Sequence, residues 1–114
     1  MQGILLLAVL VAASAGWFEV EATAYTATCE GCTGTCKDGT PADWTKNIIA
    51  VDPRVISLGS VCEIEGLGSY TARDIGGAIK GNKIDILMRD REAALKWGRR
   101  EVKVRCIEVG DEGS

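Results

Sequence analysis

The chain has 114 residues, of which 13 are lysine or arginine and 16 are aspartate or glutamate, and none is histidine. This length is enough for one domain with a modest core. The charges are interspersed and form no basic patch, so we expect no nucleic-acid partner. Without histidine, Ser-His-Asp sites, Cys-His sites and imidazole zinc sites are excluded. Acid–base chemistry must therefore fall on carboxylates, lysine, tyrosine or cysteine.

Residues 1–15 have the pattern of a secretory signal peptide. Ile4 to Ala13 is almost wholly apolar, and the sequence Ala-Ser-Ala that ends at residue 15 is a small-x-small cleavage pattern. The run is short for a membrane span, but no basic residue precedes it, so a buried N-terminal element is the alternative. We expect export, with a mature chain that begins at Gly16 and meets the membrane only transiently during export.

Short runs that alternate in polarity, or are wholly apolar, predict strands. They lie at residues 17–26, 47–52, 61–65, 69–74, 83–88 and 101–109. Residues 28–43 are rich in glycine, threonine and cysteine, and we interpret them as a long loop. Pro53 ends the second strand, because it removes the next backbone donor.

One helix is predicted before the last strand. Asp90 is a suitable N-cap, Glu92 favours the positive end of the helix, and Gly98 suits the position after the last turn. Six short strands with one short helix predict an all-β fold, a small closed barrel without exposed strand edges. We expect a single domain over residues 16–110 and a disordered tail at residues 111–114.

Five cysteines in so short a chain fit an oxidising compartment. Cys29, Cys32 and Cys36 cluster in the loop, whereas Cys62 and Cys106 fall on the apolar faces of two separate strands. These last two either pair across the barrel or pack as small hydrophobic residues. A structural zinc site needs four ligands, and the loop offers only three cysteines. We therefore predict one or two disulfides and no metal, and the pairing stays open.

Two predicted strands each carry an aspartate and are joined by a glycine-rich loop. Asp74 ends the first of these strands, and Asp85 lies inside the second. Gly76, Gly77 and Gly81 allow the connecting backbone to fold tightly. The arrangement is catalytic if the two carboxylates converge on one bound atom. Otherwise it is a turn with two solvated aspartates.

Several blocks in this order resemble the three-aspartate (3D) domain. They are Ala22–Ala27, Cys32–Gly34, Gly39-Thr40, Ile49–Ile56, Leu58–Ser60, Asp74–Gly81, Ile84-Asp85 and Trp97–Val104. This family includes the catalytic part of membrane-bound lytic transglycosylase A and short secreted muralytic proteins. The resemblance implies a double-psi β-barrel and lytic cleavage of the β-1,4 bond between N-acetylmuramic acid and N-acetylglucosamine in peptidoglycan.

The resemblance also implies which residues form the site. The namesake aspartates are Asp52, Asp74 and Asp85, with Asp85 as the catalytic acid/base and the other two supporting it. The implied substrate-binding residues are Tyr25, Thr26, Lys80, Gly76 and Gly77. The implied partner is the peptidoglycan glycan strand, the location is secreted or in the cell wall, and no cofactor is needed. Two positions depart from the family: Ile75 replaces a usual threonine, and Ser57 replaces a usual proline.

For this chemistry, Asp85 must hold a proton near neutral pH. Ile84 and Ile86 point to the other side of the strand, so we expect a neighbouring carboxylate such as Asp74, rather than burial, to raise its pKa. Asp52 is expected mainly to cap the turn before Pro53. The alternatives are a non-catalytic, expansin-like wall-binding module and a hydrolytic glycosidase that uses two carboxylates and a water.

Overall fold

The computed structural model describes residues 16–28 and 33–108. The strands are β1 (Trp17–Tyr25), β2 (Ile48–Val51), β3 (Val61–Ile64), β4 (Gly68–Ile75), β5 (Lys83–Leu87) and β6 (Arg100–Ile107). A short 3-10 helix (Trp44–Lys46) precedes β2, and α1 (Arg91–Trp97) precedes β6. The six predicted strands and the helix are confirmed, apart from small shifts at their ends. The predicted signal peptide and the tail at residues 111–114 lie outside the described residues.

The six strands close into a barrel in the order β1-β5-β2-β4-β3-β6. β1 pairs in parallel with β5, and β2 pairs in parallel with β4. The other neighbours are antiparallel. β5 therefore lies between β1 and β2, so segments far apart in sequence become neighbours. The predicted closed six-stranded barrel is confirmed.

Alternate residues of the strands fill the interior of the barrel. The core consists of Val20, Ala22, Ile49, Val51, Ile56, Cys62, Ile64, Ala72, Ile84, Ile86 and Val104. Ile84 and Ile86 are 0 % and 1 % exposed. Because successive side chains of a strand point to opposite sides, Asp85 between them points to the outer face of β5.

A second apolar cluster lies on that outer face. Its buried members are Cys36, Ile48 and Leu87, and Tyr25 packs against them. Leu87 lies two residues after Asp85 on β5, so both side chains point to the same side of the strand. The loop that carries Cys36 therefore folds over the sheet beside Asp85.

Cys62 and Cys106 form a disulfide between β3 and β6. The two residues lie directly opposite each other in the antiparallel register. Of the two roles that the sequence left open for this pair, the disulfide is confirmed. Cys36 is a free, buried thiol, and Cys29 and Cys32 lie outside the described residues.

The helix is capped as predicted and is fixed to β1. The Asp90 carboxylate accepts a hydrogen bond from the N–H of Ala93 at 2.9 Å. Gly98, with φ of 68°, follows the last turn. The Trp97 indole N–H donates to the Ala22 carbonyl at 3.0 Å, and the side chain packs against the core. In residues 16–28 and 33–108, no helix has the length and apolar character that a membrane span requires.

Candidate active site

One row of residues crosses four neighbouring strands on the outside of the barrel. Thr23 of β1 is aligned with Asp85 of β5, Asp85 with Ala50 of β2, and Ala50 with Asp74 of β4. Adjacent strands lie about 4.8 Å apart, so the two aspartate backbones are separated by about 10 Å. The small side chain of Ala50 lies between them. The barrel therefore places Asp74 and Asp85 on one face, as the sequence analysis required.

An irregularity in the register puts Asp74 on this face. Ala72 is buried in the core, and strict alternation would point Asp74 inward as well. The register between β2 and β4 shifts between Ile49 and Ala50, so that Ile49 is aligned with Ala72 but Ala50 with Asp74. The extra residue on β4 is a β-bulge, a feature that redirects side chains near functional sites.

Asp85 is partly buried and accepts a hydrogen bond from the Thr23 hydroxyl at 2.8 Å. Burial raises the pKa of Asp85; the Thr23 hydrogen bond lowers it, and the negative charge of Asp74 raises it further. The direction agrees with our expectation, but the expected main cause was wrong. The alternation of β5 shows only that Ile84 and Ile86 do not bury Asp85. The outer face of β5, to which Asp85 points, is covered by residues from distant parts of the chain.

Asp74 is held by three hydrogen-bond donors. The backbone N–H groups of Lys37 and Ile75 donate to Oδ1 at 2.8 Å and 3.0 Å, and the Tyr25 hydroxyl donates to Oδ2 at 3.1 Å. These three donors fix the position of the carboxyl group. Burial, followed by the charge of Asp74, raises the pKa of Tyr25. The phenol therefore keeps its proton and remains a donor.

The loop from Thr33 to Asp43 is fastened to β4 next to Asp74. The Asp38 N–H donates to the Arg73 carbonyl at 3.1 Å, and the two side chains form an ion pair at 3.2 Å. This clamp positions the neighbouring Lys37 N–H on Asp74. The role of Lys37 could not be predicted from the sequence, because a backbone donor carries no residue-type signal.

Asp52 has a different environment. It is only 3 % exposed, and its carboxylate accepts the backbone N–H groups of Arg54 and Gly81 at 3.0 Å and 2.8 Å. The Arg54 guanidinium adds two further hydrogen bonds. The Arg54 side chain, followed by the Gly81 N–H, holds the pKa of Asp52 well below its usual range. Asp52 therefore joins the turn after β2 to the glycine-rich loop, and in the described residues no hydrogen bond links it to Asp74 or Asp85.

We expect Asp52→Asn to lower the melting temperature at neutral pH. The pKa of Asp52 is lower in the folded than in the unfolded chain, so its stabilisation is present above pH of about 4 and is lost as the pH falls. The difference between wild type and variant should therefore shrink towards pH of about 3. Thermal melts across this range measure it, with the exposed Glu65→Gln as control. A difference that is the same at every pH would contradict this role.

The remaining implied site residues differ in how closely they are held. Thr26 is partly buried after β1, and Lys80 and Gly77 are exposed. Lys80 forms no ion pair with a carboxylate of the described residues. A Cβ on Gly76 would lie 2.7 Å from Cγ1 of Ile79, whereas a Cβ on Gly77 would meet open space.

Residues 47–108 match the 3D domain at the family level. The match covers more than half of the chain and contains Asp52, Asp74 and Asp85. The chain belongs to the 3D domain family.

Three proteins of Bacillus subtilis (strain 168) are similar in sequence. The chain is 46 % identical over 90 residues to YabE, whose name describes cell wall shaping, covering 77 % of this chain and 22 % of that protein. It is 47 % identical over 90 residues to the cell wall-binding protein YocH, covering 77 % and 31 %. It is 46 % identical over 95 residues to the SPbeta prophage-derived uncharacterized protein YorM, covering 75 % and 40 %. The chain thus spans less than half the length of each relative.

Two solved structures share the fold. An expansin from Clavibacter michiganensis superimposes with a TM-score of 0.58 at 15 % identity, covering 81 % of this chain and 50 % of the expansin. The Streptomyces papain inhibitor gives a TM-score of 0.54 at 18 % identity, covering 81 % and 94 %. The predicted double-psi β-barrel is thereby confirmed.

Proposed function

We propose that the chain is a secreted cell wall enzyme, a lytic transglycosylase acting on peptidoglycan. It cleaves the β-1,4 bond between N-acetylmuramic acid and N-acetylglucosamine and leaves 1,6-anhydro ends. The observation that carries this proposal is the contrast between two carboxyl groups on one face. Asp85 is partly buried and its pKa is raised, whereas Asp74 accepts three hydrogen bonds. A partly buried carboxyl group with a raised pKa beside a second carboxyl group is typical of acid–base sites.

One carboxylic acid is sufficient for this reaction. Protonated Asp85 donates its proton to the glycosidic oxygen, and positive charge develops at C1 of the muramic acid as the C1–O bond breaks. The Asp85 carboxylate then takes the proton from the C6 hydroxyl of the same sugar. The C6 oxygen bonds to C1 and closes the anhydro ring. The proton that was donated is thus recovered, and no water is consumed.

The residues around Asp85 have different supporting roles in this reaction. Thr23 holds one carboxyl oxygen in place. Asp74 contributes a fixed negative charge that favours both the proton on Asp85 and the positive charge that develops on the sugar. Asp52 keeps the glycine-rich loop in position and takes no part in proton transfer. The relatives named for cell wall shaping and binding support wall glycan as the substrate.

The test is an analysis of products. The mature chain is incubated with purified peptidoglycan, and the soluble muropeptides are analysed by mass. Anhydro ends are the expected result. Reducing ends would identify a hydrolase instead, and absence of products with the protein in the pellet would identify a non-catalytic wall-binding module.

We expect Tyr25→Phe to lower the rate of cleavage by about tenfold, the scale of one lost hydrogen bond to a charged group. The substitution removes the hydroxyl that donates to Asp74 Oδ2 and retains the ring that packs on Leu87. Asp74 then moves more freely, so the effect should fall on kcat rather than on KM. Release of soluble sugar from purified peptidoglycan measures it. An unchanged kcat in a folded variant would show that Asp74 does not need this donor.

A further inference from the structure

A cleft opens between the 3-10 helix, the end of β5 and the start of α1. Its volume is about 290 Å³, and its walls include Trp44, Asn47, Tyr70, Met88, Arg89 and Ala93. None of the residues in the row from Thr23 to Asp74 lines it. This volume is at the lower end of the range for small-molecule sites. The cleft is therefore large enough for one sugar-sized unit.

Trp44 provides the cleft with an aromatic face. Its side chain is 45 % exposed, although the turn that carries it is well fixed. The Asp43 carboxylate accepts the N–H and the hydroxyl of Thr45 at 3.0 Å and 2.6 Å. On the other side of the turn, the Asn47 amide donates to the Ser69 carbonyl at 3.2 Å. A preorganised, exposed indole is suited to stacking on the apolar face of a pyranose ring.

Arg89 provides the cleft with a positive charge close to this face. Its guanidinium carbon lies 5.9 Å from the centre of the Trp44 ring. Its Nε donates to Asp90 at 3.1 Å, and in the described part of the chain its two terminal nitrogens have no hydrogen-bond partner. These two nitrogens form the fork that pairs with a carboxylate. The ligand that fits is a sugar with a carboxylate on a short arm.

We propose that this cleft binds an N-acetylmuramic acid unit whose lactyl carboxylate is free, with the sugar on Trp44 and the carboxylate on Arg89. The proposal rests on wall glycan as the substrate of the proposed function. In intact peptidoglycan this carboxylate is bound as an amide to the peptide stem, and the amide lacks the negative charge that the Arg89 guanidinium would pair with. The reaction that supplies the ligand is therefore hydrolysis of that amide. Met88 follows β5 directly and lies three residues, about 10 Å along the chain, from Asp85.

The test measures binding rather than cleavage, with Asp85→Asn protein so that the glycan stays intact. Calorimetry compares soluble oligomers of one length in three forms: stem-free glycan, stem-bearing glycan and neutral N-acetylglucosamine oligomers. We expect the stem-free glycan to bind about tenfold more tightly than either of the others. Trp44→Ala, introduced into the Asp85→Asn protein, should weaken binding of all glycans by about tenfold. Added Arg89→Gln should remove only the preference for the stem-free form.

Trp17→Ala is the matched control, because Trp17 also has an arginine over its ring, at 4.7 Å, but does not line the cleft. Equal affinity for stem-free and stem-bearing glycan, or unchanged binding in Trp44→Ala, would overturn the proposal. The product analysis with wild type is independent of this result. If anhydro ends are released but binding does not depend on Trp44, the cleft proposal is rejected and the proposed activity stands. If stem-free glycan binds through Trp44 but no anhydro ends are released, the cleft proposal stands and the proposed activity is rejected.

Discussion

Replacing Asp85 with asparagine is expected to abolish the release of anhydro muropeptides and to leave the barrel folded. An amide can neither donate the proton to the glycosidic oxygen nor recover one from the C6 hydroxyl. General acid–base catalysis contributes about 10²–10⁴-fold, so we expect a loss of about a thousandfold in rate. The Thr23 hydroxyl can still donate to the amide oxygen, so the new side chain stays in the position of the old one.

The same substitution is expected to raise the melting temperature at neutral pH. The pKa of Asp85 is higher in the folded than in the unfolded chain. The folded state therefore binds this proton more tightly, and the free energy of unfolding of wild type falls as the pH rises above about 4. The asparagine variant has no such proton to lose. Thermal melts should therefore show a small difference at pH of about 3 and a growing advantage of the variant towards neutrality.

Asp74→Asn is the matched control for Asp85→Asn. It also replaces a carboxylate of the row with an amide, but the Asp74 carboxylate accepts three hydrogen bonds. An amide NH₂ group would face one of these donors, so we expect the control to be less stable than wild type at neutral pH. Lysis retained in Asp85→Asn would show that the acid is a different group. Stabilisation of Asp74→Asn in place of Asp85→Asn would assign the proton to Asp74.

The strands and the helix could be predicted because their signals are local. Alternation in residues 17–26 and the capping residues Asp90 and Gly98 act over a few positions, and the structure confirms them. The order of the strands is not local. β1 pairs in parallel with β5, which follows it by more than fifty residues, and no periodicity encodes that choice. The closed barrel was predicted from the number of short strands, but its double-psi topology was implied only by the resemblance to the 3D domain.

The candidate site was predictable in its residue types but not in its geometry. Alternation from Ala72 would turn Asp74 inward, and the bulge that turns it outward is a property of the pairing between β2 and β4. The burial that raises the pKa of Asp85 depends on how the outer face of β5 is covered. That cover includes the cluster around Leu87, built from a loop fifty residues away. The three-aspartate signature also groups Asp52 with Asp74 and Asp85, although the surroundings of Asp52 differ from theirs.

The disulfide between Cys62 and Cys106 is expected to supply a large share of the stability of the fold. For a sequence separation of 44 residues, the loss of chain entropy in the unfolded state corresponds to about 4 kcal/mol. In a domain of this size that loss lowers the melting temperature by more than about 15 °C. Urea unfolding of Cys62→Ala, Cys106→Ala and the double variant measures it. Each single variant breaks the bridge, so the three losses should nearly coincide, with a smaller loss for Cys36→Ala as control.

Additive losses in the two single variants would contradict the bridge, because independent packing contributions add whereas one shared bond is lost only once. The bridge joins β3 and β6, and the row from Thr23 to Asp74 lies on β1, β5, β2 and β4. Catalysis per folded molecule should therefore be unchanged in the double variant below its melting temperature. Reduced activity in a fully folded double variant would show that the geometry of Asp74 and Asp85 depends on the bridge between β3 and β6, and not only on the four strands that carry the row.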